Sequence, residues 1–151
     1  MTQEEEIKIG EMDITKDKKI MVARALGSCV AVAIYDREKE IGGMAHVLLG
    51  KGNKHREGKT ALYADKAVER MVREIRKSGG RKENLEAKIA GGASMFSSQS
   101  NGNVGKKNIE AVIKELEDRD IPITGKDIGG TNARNVRFKV GSMSMTVESK
   151  I

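Results

Sequence analysis

Across 151 residues the chain carries 28 Lys and Arg against 22 Asp and Glu, a net charge of +6, with 38% hydrophobic residues, 3% aromatic and no Trp. That is one domain's worth of chain, long enough to close an aliphatic core without disulfides or metal, with eight Met as adaptable filler. It argues against membrane insertion, because no apolar run approaches the roughly 20 residues a span needs, and against nucleic acid, because two Phe and two Tyr make too few stacking platforms.

The opening MTQEEEIKIG is acidic where a secretion signal needs a basic stretch and a long apolar run. With one cysteine, Cys29, the expected setting is a reducing cytoplasm. β-branched or alternating segments predict strands at EIKIGEMDI (6–14), KKIMVARAL (18–26), SCVAVAIYD (28–36) and IGGMAHVLL (41–49). The basic cluster KGNKHREGK follows at 51–59. A helix is expected over 60–78, with Ala64, Val68, Met71, Val72 and Ile75 on one face and Gly79-Gly80 as the stop. NLEAKIAGG (84–92) reads as a strand, and 104–119 as a second helix lined by Ile109, Val112, Ile113 and Leu116, with Asn101 or Asn103 as cap. A two-residue turn at Gly141-Ser142 gives a C-terminal hairpin in which Val140 faces Met143, Phe138 faces Met145 and Val136 faces Val147. The whole predicts a single layered α+β domain over residues 1–151, sheet-rich with two main helices.

The same pairing arithmetic is most informative around the cysteine. A turn at Arg37-Glu38 pairs Ile34 with Ile41, Val32 with Gly43, and Cys29 with His46. Directly opposed residues have Cβ atoms about 4.5–5.5 Å apart, near enough for a thiol to approach an imidazole nitrogen. A turn longer by one residue would send the partner to the other face. Two readings stand open here: a Cys29–His46 pair built for proton transfer, or a small buried cysteine and a satisfied core histidine.

Glycines favour the first reading. Gly27 and Ser28 leave backbone N–H groups near the sulfur unobstructed, as an oxyanion hole requires. Gly42-Gly43 strips the strand before His46, which suits close approach of another backbone or a substrate. AGGASMFSSQSNGNVG (90–105) lies between a strand and a helix, where binding loops are mounted, and makes Gly92, Ala93, Ser94 and Phe96 substrate-binding candidates. Its plain alternative is a connection whose Ser and Asn serve as turn and cap residues. KDIGGTNARNVRF (126–138) brings Arg134 to the same rim or leaves it exposed without a role.

Other motifs fail on inspection. GNKHREGKT has five residues between Gly52 and Gly58 where a P-loop needs four, so nucleotide is not expected. One Cys and two His make no zinc constellation, His55 reads as solvated, and no metal or cofactor is called for.

LGSCVAVAIYD, IGGMAH, LYADKAVERMV, KIAGGASMF and IGGTNAR, in this order and spacing, resemble the CheD family of chemotaxis proteins, chemoreceptor glutamine deamidases. The resemblance implies an α/β sandwich with mixed β-sheets, similar to toxin-type glutamine deamidases. It also implies hydrolysis of selected receptor glutamines to glutamate with release of ammonia. The family nucleophile falls on Cys29 and the family histidine on His46. The implied partners are chemoreceptor cytoplasmic helices and the CheC phosphatase. In a non-enzymatic alternative, the loop around Ser94, Met95 and Phe96 is a docking surface through which the chain binds and stimulates CheC. Two departures stand out. The family carries a threonine six residues before the cysteine, thought to orient the histidine, where this chain has Ala23; it often has Leu-Pro where this chain has Leu49-Gly50.

Overall fold

The computed structural model describes residues 3–48, 61–94 and 104–150. Within them the chain runs β1 (Glu4–Glu6), β2 (Met12–Thr15), β3 (Ile20–Leu26), β4 (Val30–Asp36), β5 (Ile41–Val47), α1 (Ala64–Lys77), β6 (Leu85–Gly91), α2 (Val104–Asp118), β7 (Ile123–Ile128), β8 (Ala133–Lys139) and β9 (Ser144–Lys150).

β4 is buried at every position, and covering both of its faces builds the rest of the molecule. It is the middle strand of a five-stranded sheet in the order β2-β5-β4-β6-β7. Its even residues Val30, Val32 and Ile34 pack under α1 and α2, while Ala31, Ala33 and Tyr35 face a second sheet in the order β1-β3-β8-β9. Both sheets are mixed: β1 runs parallel to β3 and β7 parallel to β6, the other pairs being antiparallel. The result is the expected α/β sandwich, in three layers: sheet, sheet, helices. Tyr35 and Phe138 meet between the sheets with ring centroids 5.8 Å apart.

α1 buries the expected face, Ala64, Val68, Met71, Val72 and Ile75, with Ala67 added. Each of its larger side chains contributes about 1.5–3 kcal/mol of burial. It starts at Ala64 because the residues before it are tied elsewhere: Ala61 N–H donates to Gly10 O at 3.2 Å, and Leu48 N–H to Leu62 O at 3.1 Å. Gly80 N–H closes its end on Ile75 O at 2.9 Å. In α2, Ile109, Val112 and Leu116 are buried and Ile113 packs against that core, as expected. The basic cluster 51–59 with His55, Leu49-Gly50, Met95, Phe96 and the cap candidates Asn101 and Asn103 lie outside the described residues.

Four expectations need correction. The single strand read over 6–14 is two strands in different sheets. Ile7 N–H bonds Val22 O of β3 at 2.7 Å, whereas Gly10 N–H bonds His46 O of β5 at 2.9 Å, so residues 7–10 strap the end of the sandwich. Alternating apolar residues suit either sheet, and nothing in the pattern marks the crossing.

The β4–β5 register also differs. Ile34 pairs with Gly43 and Ala31 with His46, a shift of two residues from the expected pairing of Cys29 with His46. Asp36 sets this: its carboxylate accepts from Lys39 N–H at 3.0 Å, Arg81 N–H at 2.8 Å and Asn84 Nδ2 at 3.3 Å, which fixes a four-residue loop at 37–40. A two-residue shift keeps every side chain on its face.

The C-terminal hairpin has the expected pairs Val136–Val147 and Phe138–Met145, but Met143 N–H bonds Lys139 O at 2.8 Å. Its loop therefore spans 140–143 and is not a two-residue turn. Finally, β7 (ITGKDI) was not foreseen, since Gly125 and Asp127 are poor strand formers.

Gly43 lies where another backbone comes close. A Cβ there would sit 1.7 Å from Asp13 O of β2, so the glycine pair serves strand packing.

Candidate active site

Cys29 lies in the half-buried turn between β3 and β4, one residue before β4 begins. Three successive carbonyls of this turn are held: Gly27 O accepts from Ala93 N–H at 2.8 Å, Ser28 O from Asn108 Nδ2 at 2.9 Å, and Cys29 O from Gly92 N–H at 2.8 Å. In a trans peptide the C=O and the following N–H point opposite ways. The Ser28 and Cys29 amides are therefore turned away from the groups that hold the Gly27 and Ser28 carbonyls, and among the described residues neither donates a backbone hydrogen bond. The amides of Gly92 and Ala93 are spent on carbonyls, and that of Ser94 donates to Gly130 O at 2.9 Å. Backbone hydrogen bonds thus bring the segments 27–29 and 92–94 together. Among the described residues the amides of Gly27, Ser28 and Cys29 donate no backbone hydrogen bond.

His46 reaches this region from β5. It stands opposite Ala31, on the face that looks toward the second sheet, and Cys29 is two residues from Ala31 on the same side. Cys29 precedes the ladder, which begins with Val30 opposite Val47, so the two share a face without being directly opposed. His46 is 3% exposed and Cys29 7%. Nδ1 of His46 lies 3.0 Å from Ile7 O. A carbonyl only accepts, so Nδ1 carries the proton and the lone pair sits on Nε2. Nε2 is buried without a hydrogen-bond partner, the thiol included. An orphaned buried acceptor on the face it shares with the thiol can take up a proton, and catalytic hydrogen bonds often tighten only with substrate bound.

Burial pushes the Cys29 thiol above its ordinary range. Burial pushes the His46 imidazole down, against the opposing pull of the Ile7 carbonyl and of Glu11 and Glu6. The resting pair is therefore neutral, and His46 is available as a base rather than as half of an ion pair. A histidine kept neutral by the fold contributes stability that is fully present above the unfolded imidazole value of about 6.5 and is lost as pH falls below it through the lower folded value. Thermal melts from about pH 8 to pH 5 are expected to show a steeper acid-side loss for the parent than for His46→Gln. Equal slopes would show that His46 takes up no proton on unfolding.

The family profile for "CheD chemotactic sensory transduction" matches residues 48–149. The chemoreceptor glutamine deamidase CheD of Thermotoga maritima is 44% identical over 143 residues, covering 93% of this chain and 88% of that protein. This chain belongs to the CheD family. The CheD of Halalkalibacterium halodurans, also a chemoreceptor glutamine deamidase by name, is 37% identical over 151 residues, covering 95% of this chain and 93% of its own. Among solved structures, the hypothetical protein YfiH of Bacillus licheniformis aligns at 15% identity with a TM-score of 0.43, over 75% of this chain and 49% of that one.

At position 23, where the family resemblance led to a threonine, the structure places the imidazole proton elsewhere. Ala23 is fully buried in the layer between the sheets, and the imidazole proton goes to the Ile7 carbonyl instead. Sequence reading could not name this acceptor, since a carbonyl leaves no trace in residue identity. It also missed Asn108, 4% exposed on the apolar face of α2. The available signal was an amide side chain on a helix face otherwise lined by Ile109, Val112 and Leu116. Arg134 is at the rim, as one of its two readings had it, and it is buried rather than exposed. It pairs with Leu26 in the ladder and donates to Asp127 Oδ1 at 3.2 Å and to Gly129 O at 2.8 Å, holding the loop whose Gly130 carbonyl receives Ser94.

Among the described residues no group of His, Cys, Asp and Glu is placed to hold a metal ion, and no helix is long and apolar enough to cross a membrane.

Proposed function

We propose that this CheD protein hydrolyses the side-chain amide of selected glutamines on chemoreceptor cytoplasmic helices, with Cys29 as nucleophile and His46 as general base and acid, in the cytoplasm. The names of its relatives supply the substrate class. The observation that carries the chemistry is the orphaned Nε2 of His46, its Nδ1 held by Ile7, on the same face as the lone thiol.

Nε2 takes the Cys29 proton as sulfur attacks the carboxamide carbon, forming the C–S bond and moving the carbonyl electron pair onto oxygen. The Ser28 and Cys29 amides bind that oxyanion, each donor contributing about 2.7–4 kcal/mol. The intermediate collapses to a thioester as the C–N bond breaks and the Nε2 proton leaves with ammonia. Water then adds to the thioester, giving its proton to Nε2. The C–S bond breaks, the proton returns to sulfur, and glutamate is released.

Mass spectrometry of a glutamine-bearing receptor cytoplasmic fragment tests this, through a gain of about one dalton per converted glutamine with the parent and none with Cys29→Ala. No gain with the parent, under conditions where CheC is bound, would overturn the reading in favour of a regulator that docks the phosphatase without catalysis.

A further inference from the structure

Asn108 takes no part in the chemistry as written, and it lies on another element, yet it touches the turn that carries the nucleophile. Its side chain is 4% exposed and its Nδ2 donates to Ser28 O at 2.9 Å. Gly105, one turn earlier on α2, packs so closely on the end of β6 that a Cβ there would lie 2.4 Å from Ala93 O and 2.5 Å from Gly92 O. The start of α2 and the Gly92-Ala93 segment are thus packed together. Side by side they hold the Gly27, Ser28 and Cys29 carbonyls.

The three holds differ in kind. Those on Gly27 and Cys29 come from backbone amides of the Gly92-Ala93 segment, which no substitution of their side chains deletes. Only the Ser28 carbonyl is held by a side chain. That peptide carries the Cys29 amide on its other side, and in a trans peptide the direction of one group fixes that of the other. We infer that Asn108 is a positioning residue: by anchoring the Ser28 carbonyl to α2 it aims the Cys29 N–H at the place where the oxyanion forms. Without the anchor the Ser28–Cys29 peptide plane is free to rotate, and the Cys29 amide donor is lost from the transition state while the sulfur and the imidazole keep their places.

This inference rests on Cys29 being the nucleophile, and the experiment separates the two. Deamidation of a receptor cytoplasmic fragment is followed for the parent, Asn108→Ala, Asn108→Leu and Cys29→Ala, alongside the rate at which iodoacetamide alkylates Cys29 as a function of pH. Alkylation reports on the thiol and needs no oxyanion donor; amide hydrolysis needs both. For Asn108→Ala the expected result is a kcat lower by roughly 10²-fold, KM within about twofold, and an alkylation profile overlying the parent's. Asn108→Leu, which nearly fills the same volume without a donor, is expected to behave alike and carries the test if the alanine variant does not fold. Parent-like kcat in either folded variant overturns the inference. So does alkylation that falls in step with kcat, since Asn108 would then hold the thiol and not the amide. Parent-like deamidation by Cys29→Ala sinks the underlying mechanism instead, whatever Asn108 does.

Discussion

Removing the sulfur, as in Cys29→Ala, is expected to lower kcat on receptor glutamines by on the order of 10⁶-fold, and His46→Ala by roughly 10²- to 10⁴-fold. The two losses should not add. A base with no thiol to activate does nothing, so the double variant is expected to match Cys29→Ala alone. The sizes differ because a thiol retains some reactivity without its base, whereas the other nucleophile type at this turn, the Ser28 hydroxyl, is far weaker than a thiol when nothing activates it. His46→Gln keeps most of the volume but carries no base, so it separates loss of the base from loss of packing. Both histidine variants are expected to fall together in kcat while only the alanine loses stability. Retained turnover in folded His46→Gln would mean that the orphaned Nε2 is not the base.

The second large effect is on the fold. Gly91 ends β6 with φ at +114°, and a Cβ there would lie 2.3 Å from Cys29 O and 3.2 Å from Val30 Cα. Gly91→Ala combines backbone strain of about 1–3 kcal/mol with forced separation of β6 from the turn that carries the thiol, another 1–3 kcal/mol or so. The sum takes a large share of a typical total of about 5–15 kcal/mol and lowers Tm by roughly 10 °C. Gly79 supplies the control. Its φ is +104° and a Cβ there would meet nothing within 4 Å, so Gly79→Ala bears the strain alone. Differential scanning calorimetry of both variants checks the difference. Equal shifts would show that the Cys29 carbonyl gives way without cost.

How far the sequence led can be read from particular residues. Helix faces were legible because burial imposes a 3.6-residue period that Val68, Met71, Val72 and Ile75 display directly. The face shared by Cys29 and His46 was legible too, since a two-residue error in register preserves it. Direct opposition was not, because the loop length is decided by Asp36 reaching Arg81 and Asn84, contacts that span 45 and 48 residues of chain. The crossing at residues 7–10 was hidden for a similar reason: what distinguishes one sheet from the other is which partner strand waits there, Val22 on one side and His46 on the other. Ile7 O and Asn108 both act through single long-range hydrogen bonds, which periodicity cannot register.

The neutral state of the thiol and imidazole at rest has a consequence for life in the cell. A sulfur kept protonated by its surroundings is a poor target for peroxide and exchanges slowly with glutathione disulfide. Under the proposed mechanism the protein can therefore stand ready among oxidants without being consumed by them, its thiol proton passing to His46 only as a side-chain amide is attacked.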